Sequence, residues 1–507
     1  MYKKYSLMSL PTWLNLKIKS PHEYRYKPTS RLIPSSIPSK LNLPYTNHSE
    51  CPNILCPPID QLSLDKYIVL LFSTDFKKNI NVPRTYNVDF HVYYCWQNVA
   101  AIVFGDGSNS KLYPLTKRRS EAALPIAGNY RLIDAVISNC INSNIKKIYA
   151  LTQFNSASLN SHLSRAYSSA HIRNEPLVDV IAAYQSPEGK GWFQGTADAI
   201  RRCLWILEEY PIVDFLVLPG YHLYKMDFQE LLKVHSNNKA DITVAVLSRR
   251  TDKDVELGTF QVNSGNQVIS FKDNPEVQNS DISHDKYAGM DIYVVNKDAM
   301  IKLLTEYHPM ANDFRREVVP GAISLGMNVY AHKFSGYWED MRTIEAYYQA
   351  NMESIKNTKY TYSLYDKESP LYTLPRHLPP TQITDAAITD SVIGDGCFLN
   401  RCKIRGTVVG MKTRVGDGAI IEDSVIMGSD TYQSGRVEED IHIPIGIGEG
   451  SQIKKAIIDK NVRIGKNVKI LNKENVQECN NEANGYIITK GIVVIMKGAI
   501  IPDGSIL

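Results

Sequence analysis

The chain lacks most of the features that assign a protein at a glance. Cysteine is sparse: eight in 507 residues, at positions 51, 56, 95, 140, 203, 397, 402 and 479, with no CxxC pair and no histidine at zinc spacing. That excludes a disulfide-dense secreted scaffold and a zinc module, and leaves most cysteines as reduced structural residues. Long apolar runs are also missing. The longest near the N-terminus, Tyr67 to Phe72, falls far short of the roughly 20 residues that a membrane-spanning helix needs. Neither sign of charge dominates: 57 Lys and Arg against 53 Asp and Glu leave +4, too little to mark a nucleic-acid binder, and no basic stripe interleaved with aromatics is present. What remains is ordinary, 43% hydrophobic and 22% charged. At this length it predicts a soluble protein of two folded domains.

The N-terminus is short of acid. Its first forty residues carry eight basic side chains against the single carboxylate Glu23, with many Ser and Pro and no apolar stretch after Met1. This suits an organelle transit peptide better than a secretion signal, and residues 1–60 are assigned as a transit peptide or a disordered tail. Residues 61–97 hold β-prone clusters (YIVLLF, VDFHVYYCW) and are set apart as an insertion of unknown role.

The richest stretch runs from Ala100 to Leu132. An apolar run, Ala100 to Phe104, ends in a turn containing Gly105 and Gly107 and leads into a basic segment. A short continuous apolar run is the pattern of a buried parallel strand, and the glycines permit backbone N–H groups to face an anion. Further on, Ile133, Val136, Ile137, Cys140 and Ile141 recur at helical spacing, Ile145 to Leu151 reads as a strand, Thr196 to Glu209 as a helix and Phe215 to Leu218 as a buried strand. Strands alternating with helices predict a doubly wound, Rossmann-like α/β domain over 98–370, with its ligands beyond the C-terminal ends of the strands. The Pro-rich segment 371–380, LYTLPRHLPP, reads as a linker. Over 381–507 an apolar residue returns every six positions, at Val409, Val415, Ile421 and Met427, then Ile447 and Ile453, then Ile464 and Ile470. That period predicts a parallel β-helix, interrupted by an inserted loop at Thr431 to Ile441.

Long segments make the reading specific: YRLIDAVISNCINSNIKKIYALTQFNSASLNSHLSRAY, WFQGTADAIRRCLWILEEY, GYWEDM, SLYDKESPLYTLPRHLPP and IKKAIIDKNVRIGKNVKILNKENVQE. From about Val99 to Leu507 the chain resembles the sugar-nucleotide pyrophosphorylases, and specifically plant ADP-glucose pyrophosphorylase (glucose-1-phosphate adenylyltransferase) of the small-subunit type. The resemblance implies a nucleotidyltransferase domain followed by a left-handed parallel β-helix. It also implies Mg as cofactor, ATP and glucose 1-phosphate as substrates, a plastid stromal location, a heterotetramer with other subunits, and anionic effectors such as 3-phosphoglycerate or phosphate.

Several positions depart from the pattern that the resemblance implies. The family's nucleotide loop, GGGxGTRL, matches Gly105, Asp106, Gly107, Ser108, Asn109, Ser110, Lys111 and Leu112, so Lys111 stands for the catalytic Arg and Asp106 brings a carboxylate to a polyphosphate. Glu121 reverses the charge of a family Lys. Tyr221 replaces the Asp of GDHLY that holds the metal, while its partner in GYWED survives as Asp340, a vestigial metal ligand. The family's sugar-phosphate motif EKP matches Asp273, Asn274 and Pro275, so its Lys is absent, and in the ASMGIY pattern Asp291 replaces glycine. Gln194, Gly195 and Thr196, near base and ribose in the family, are intact; a helix start capped by Thr196 would preserve the same residues. The four effector cations match Arg119, Arg131, Lys460 and Lys497. Removing one preorganised electrostatic group costs on the order of a hundredfold to a thousandfold in rate. The expectation is therefore a catalytically degenerate paralogue that keeps scaffold and effector site. The alternative is an active pyrophosphorylase with His222 or Asp291 recruited for metal.

Overall fold

The computed structural model describes residues 98–107, 110–167, 177–183, 191–248, 257–273, 285–356, 362–432 and 443–507. The expectations for residues 1–60 and 61–97, and those for Ser108, Asn109, Asn274 and Pro275, lie outside them, as do positions 433–441 of the expected inserted loop.

The apolar run forms strand β1 (Val99–Phe104), buried along its whole length. It pairs in parallel with β2 (Lys147–Thr152) on one side and β4 (Asp214–Pro219) on the other, and β2 pairs in parallel with β3 (Val178–Ala182). Fully buried parallel strands require apolar side chains on both faces, which is why β1 and the centre of β4 read as continuous runs without alternation. Helix α1 (Leu132–Asn142) connects β1 to β2, and α3 (Thr196–Leu207) precedes β4; between them lies α2 (Ala157–Ala166). The strand order places β1 between β2 and β4, so the chain winds one way from β1 and returns on the other side. The crevice of a doubly wound sheet opens where the winding reverses, beyond the C-terminal ends of β1 and β4. Gly105 follows the first of these strands, and Gly220 and Tyr221 follow the second. The long strand at Asp285–Asn296 adds antiparallel to β4 and extends the sheet, which has nine strands among the described residues.

From Gln382 to Ile501 short parallel strands stack on three faces. On one face Ile383, Leu399, Val415, Ile447, Ile464 and Ile501 lie in register. On the second the series is Ile388, Ile404, Ile421, Ile453 and Ile470. On the third it is Ile393, Val409, Ile426, Ile458 and Ile495. This is a triangular parallel β-helix, and all of these side chains except the exposed Ile383 of the first coil form one core. The six-residue period slips at one predicted position. Ile426, not Met427, points inward, while Met427 packs with Val425, Ile457 and Val494 against Leu112, Leu115, Leu124 and Tyr347 of the sheet domain. The slip lets one β-helix face serve two cores, its alternate residues facing opposite ways.

Segment 371–380 has no regular secondary structure and is fastened to the sheet domain. Thr373 Oγ1 donates to Asp134 at 2.6 Å, the Tyr372 amide donates to Ser138 Oγ at 2.8 Å, and Arg376 reaches the Asn129 carbonyl at 3.0 Å. Asp134, completely buried, also accepts from His162, Tyr167 and the Arg131 amide, so one carboxylate holds linker, helix start and neighbouring helix together.

Candidate functional site

The predicted loop does lie at the crevice. The Gly105 amide donates to the Leu151 carbonyl at 2.9 Å, which fixes the chain as it leaves β1. Two residues on, the Gly107 amide donates to the Glu121 carboxylate at 3.1 Å, and the Glu121 amide donates to Asp106 Oδ1 at 3.2 Å. Glu121 was expected as a reversal of the family's charge; here it also takes the backbone donor that an anion would use. Burial pushes the Asp106 carboxyl up to about 6 and the Glu121 carboxyl up to about 7, so this corner carries less negative charge at neutral pH than its composition suggests.

Tyr221 is buried, and its ring lies directly over Gly107: a Cβ there would sit 2.7 Å from the ring. The aromatic ring therefore lies where the loop and the end of β4 face each other. Burial holds its hydroxyl protonated, well above the usual range. Beside it, His222 is completely buried, its ring edge-on to Tyr221 and Trp338, with centroids 5.0 and 4.9 Å away. Burial lowers His222 to about 3, so it is neutral at physiological pH.

Asp340 ends the short strand Trp338–Asp340, which pairs antiparallel with His222–Tyr224 and so approaches Tyr221. Its carboxylate is taken by Arg342. The guanidinium Nε contacts both oxygens at 3.0 Å, Nη2 contacts Oδ2 at 2.6 Å, and the Arg342 amide donates to Oδ1 at 3.1 Å. Burial pushes Asp340 up, yet its charged neighbours hold it below the ordinary carboxylate value; with His222 neutral, Arg342 is the cation that does so. Arg342 lies 5.4 Å from the Tyr221 ring centroid, a cation–π contact, and its carbonyl accepts the Lys111 amide at 2.9 Å.

Asp291, where the resemblance implied glycine, has φ 56°, in the left-handed region that glycine adopts freely and Asp tolerates. Its carboxylate meets Arg315 Nη1 at 3.2 Å and the Tyr293 hydroxyl at 3.1 Å. These groups, with Thr196 and Tyr221, line a cavity of about 30 Å³. That is room for a water or two. Among the described residues no group of three or more His, Cys, Asp or Glu is arranged to hold a metal ion, and neither His222 nor Asp291 joins Asp340 in one.

The remaining predicted residues sit as follows. Gln194 is exposed, with its amide nitrogen on the Trp192 carbonyl at 3.0 Å. Gly195 allows close approach, since a Cβ would come within 2.3 Å of the Asn312 carbonyl oxygen. Thr196 does not cap α3 as its sequence suggested: its hydroxyl accepts from the Phe314 amide at 2.9 Å, and the Gln194 amide is satisfied by Asp198. Asp273 pairs with Arg316 at 2.8 Å and is not among the residues lining the cavity.

The four predicted effector cations converge where the sheet domain meets the β-helix. Arg119 and Asp459 form a buried ion pair. Lys460 and Lys497 both approach Asp430, at 2.8 and 3.9 Å, and Asn461 donates to it at 2.9 Å. Burial raises Asp430, but these neighbours win and hold it down at about 2. Arg131 donates to the Ser158 carbonyl at 2.7 Å, and burial lowers it to about 10. Burial lowers Lys460 as well, against the pull of Asp430.

Sequence reasoning missed Arg342, Arg315, Asp430 and Asp459. A signal existed for the first: an arginine two residues after a carboxylate in extended backbone lies on the same side of the chain.

Two family models match this architecture. Residues 100–357 match "Nucleotidyl transferase" and residues 376–506 match "GLGC left-handed parallel beta-helix domain". Across 452 residues the chain is 56% identical to "Inactive glucose-1-phosphate adenylyltransferase small subunit 2, chloroplastic" of Arabidopsis thaliana, a match covering 85% of this chain and 92% of that protein. The chain belongs to the plant glucose-1-phosphate adenylyltransferase small-subunit family. A second family member, "Glucose-1-phosphate adenylyltransferase small subunit, chloroplastic/amyloplastic" of Triticum aestivum, is 47% identical over 432 residues, 81% of this chain and 91% of its own. The glucose-1-phosphate adenylyltransferase small subunits so matched thus include one whose name states inactivity and one whose name does not. No helix among the described residues is long and apolar enough to cross a membrane.

Proposed function

We propose that this chain is a degenerate glucose-1-phosphate adenylyltransferase small subunit of the plastid stroma, with little or no catalysis of its own. In this reading it serves starch biosynthesis as a scaffold or regulatory partner of active subunits in a heterotetramer. The observation that supports it best is the pairing of two losses in one place. Tyr221 stands in the position of one expected metal carboxylate and lies over Gly107, while the other, Asp340, is engaged by Arg342 through both oxygens. Nucleotidyl transfer depends on positioning and on metal neutralisation of developing charge, and the residues present do not supply the second. The expected Mg does not fit the side chains present. Against this, the cations expected to receive 3-phosphoglycerate or phosphate, Arg119, Arg131, Lys460 and Lys497, are all retained at one boundary, and the β-helix keeps a continuous apolar core.

Co-expression with a catalytically competent small subunit and a large subunit tests the reading. The chain is expected to co-purify in the tetramer and to shift the activation of ADP-glucose synthesis by 3-phosphoglycerate. Absence from the tetramer, with activation unchanged, would refute the partner role.

A further inference from the structure

The misfit between the expected Mg and these residues has a specific cause. We propose that the Arg342 guanidinium is the resident cation of the site: it occupies both oxygens of Asp340 and so excludes a divalent cation from the carboxylate. This rests on the degenerate reading and adds the residue responsible for it.

Mg demands near-octahedral oxygen ligands at about 2.0 to 2.1 Å and usually enters through one or two carboxylates. Asp340 has no oxygen to give. Oδ1 receives Arg342 Nε at 3.0 Å and the Arg342 amide at 3.1 Å, and Oδ2 receives Nε at 3.0 Å and Nη2 at 2.6 Å. Arginine makes a durable stand-in, because its charge is not titrated away and its planar fork matches a carboxylate. The guanidinium is also held in place. The Tyr221 ring lies 5.4 Å from it. Its carbonyl accepts the Lys111 amide, Lys111 bridges to Thr343, and Thr343 Oγ1 caps the helix Ile344–Ile355 by accepting from the Ala346 amide at 3.1 Å. The Gly107 amide, taken by the Glu121 carboxyl at 3.1 Å, completes the pattern on the side where an anion would bind. The site carries its own cation and its own acceptor for the loop amide, as if liganded by the chain itself.

The consequence is unlike that of a lost ligand alone. Restoring a carboxylate at position 221 should not restore metal binding while Arg342 remains. Mn²⁺ titration followed by electron paramagnetic resonance, on the full chain, compares wild type, Tyr221→Asp, Arg342→Gln and the double variant Tyr221→Asp with Arg342→Gln. The expected result is no Asp340-dependent Mn²⁺ site in wild type or Tyr221→Asp. The double variant should gain affinity of about tenfold or more over Tyr221→Asp, and a third change, Asp340→Asn, should abolish the gain. Tyr221→Asp binding as tightly as the double variant would overturn the proposal, as would a folded double variant that gains nothing. Should circular dichroism show that the double variant does not fold, thermal unfolding of wild type with millimolar Mn²⁺ decides: an unmoved midpoint supports the proposal, and a rise that Asp340→Asn abolishes overturns it. The two readings separate. If wild type is silent in ADP-glucose synthesis while Tyr221→Asp alone binds Mn²⁺, Arg342 is wrongly assigned and the degenerate reading stands; turnover by wild type defeats the degenerate reading directly.

Discussion

Glu121 offers a quantitative test of the self-filled loop. Its carboxyl is 3% exposed, faces Asp106 and is pushed by burial from 4.5 up to about 7. A raised acid binds its proton more tightly in the folded state than in the unfolded one. Folding therefore gains from this group below its unfolded value, and the gain is lost as pH rises through the folded value. Moving from 4.5 to about 7, at about 1.4 kcal/mol per pH unit, gives on the order of 3 kcal/mol across that window. Glu121→Gln keeps an oxygen for the Gly107 amide and removes the titration. The assay is the unfolding midpoint of both chains, followed by circular dichroism between pH 5 and pH 8. The variant should gain on wild type as pH rises, reaching a difference of a few degrees at pH 8 at about 1 to 2 °C per kcal/mol for a chain of this size. A difference that stays constant with pH, or one that favours wild type increasingly at high pH, would refute the argument that this carboxylate is forced into a buried, charge-poor corner.

Further outcomes follow from the domain boundary. Arg119→Met should destabilise the chain by about 3 to 5 kcal/mol, because Asp459 is left buried without its cation; Arg119→Met with Asp459→Leu should recover most of the loss, both read by thermal unfolding. Asp430→Asn removes the carboxylate that engages Lys460 and Lys497, so phosphate binding measured by calorimetry should strengthen by about tenfold, and Lys460→Ala in the same background should cancel the gain. In the β-helix, Ile453→Ala should cost about 2 to 5 kcal/mol, since Ile453 is 1% exposed and lies in register with Ile421 and Ile470.

The two architectures were legible because each imposes a repeated demand on side chains. Buried parallel strands need apolar residues on both faces, so Ala100–Phe104 and Phe215–Leu218 announce themselves, and a triangular coil needs one inward branched residue per side, which fixes Val409, Val415, Ile421, Ile447, Ile453, Ile464 and Ile470. Met427 escaped because its strand feeds two cores and the neighbouring Ile426 takes the inward place. At the site, the substituted positions could be named one by one, but what they do to each other could not. Reading Glu121 only as a charge gave a reversed sign; the fold uses it as the acceptor for Gly107. Arg342 lies just outside the quoted motif GYWEDM; its spacing puts it on the same side of the chain as Asp340, but its grip on both carboxylate oxygens is a property of the closed fold. Thr196 looked like a helix cap by position, yet the distant Phe314 amide claims its hydroxyl. Periodic requirements are written locally, whereas pairings across 14 or 118 residues, as for Gly107 with Glu121 and Thr196 with Phe314, are settled by the closed fold.

The most direct measurement of the central claim is ADP-glucose formation from ATP and glucose 1-phosphate by the purified chain alone, with Mg and 3-phosphoglycerate, beside a catalytically competent small subunit as positive control. The account predicts no turnover above background for a chain that is folded by circular dichroism. Robust turnover that disappears with Asp340→Asn would contradict it, because Asp340 would then be free to serve catalysis despite Arg342 and Tyr221.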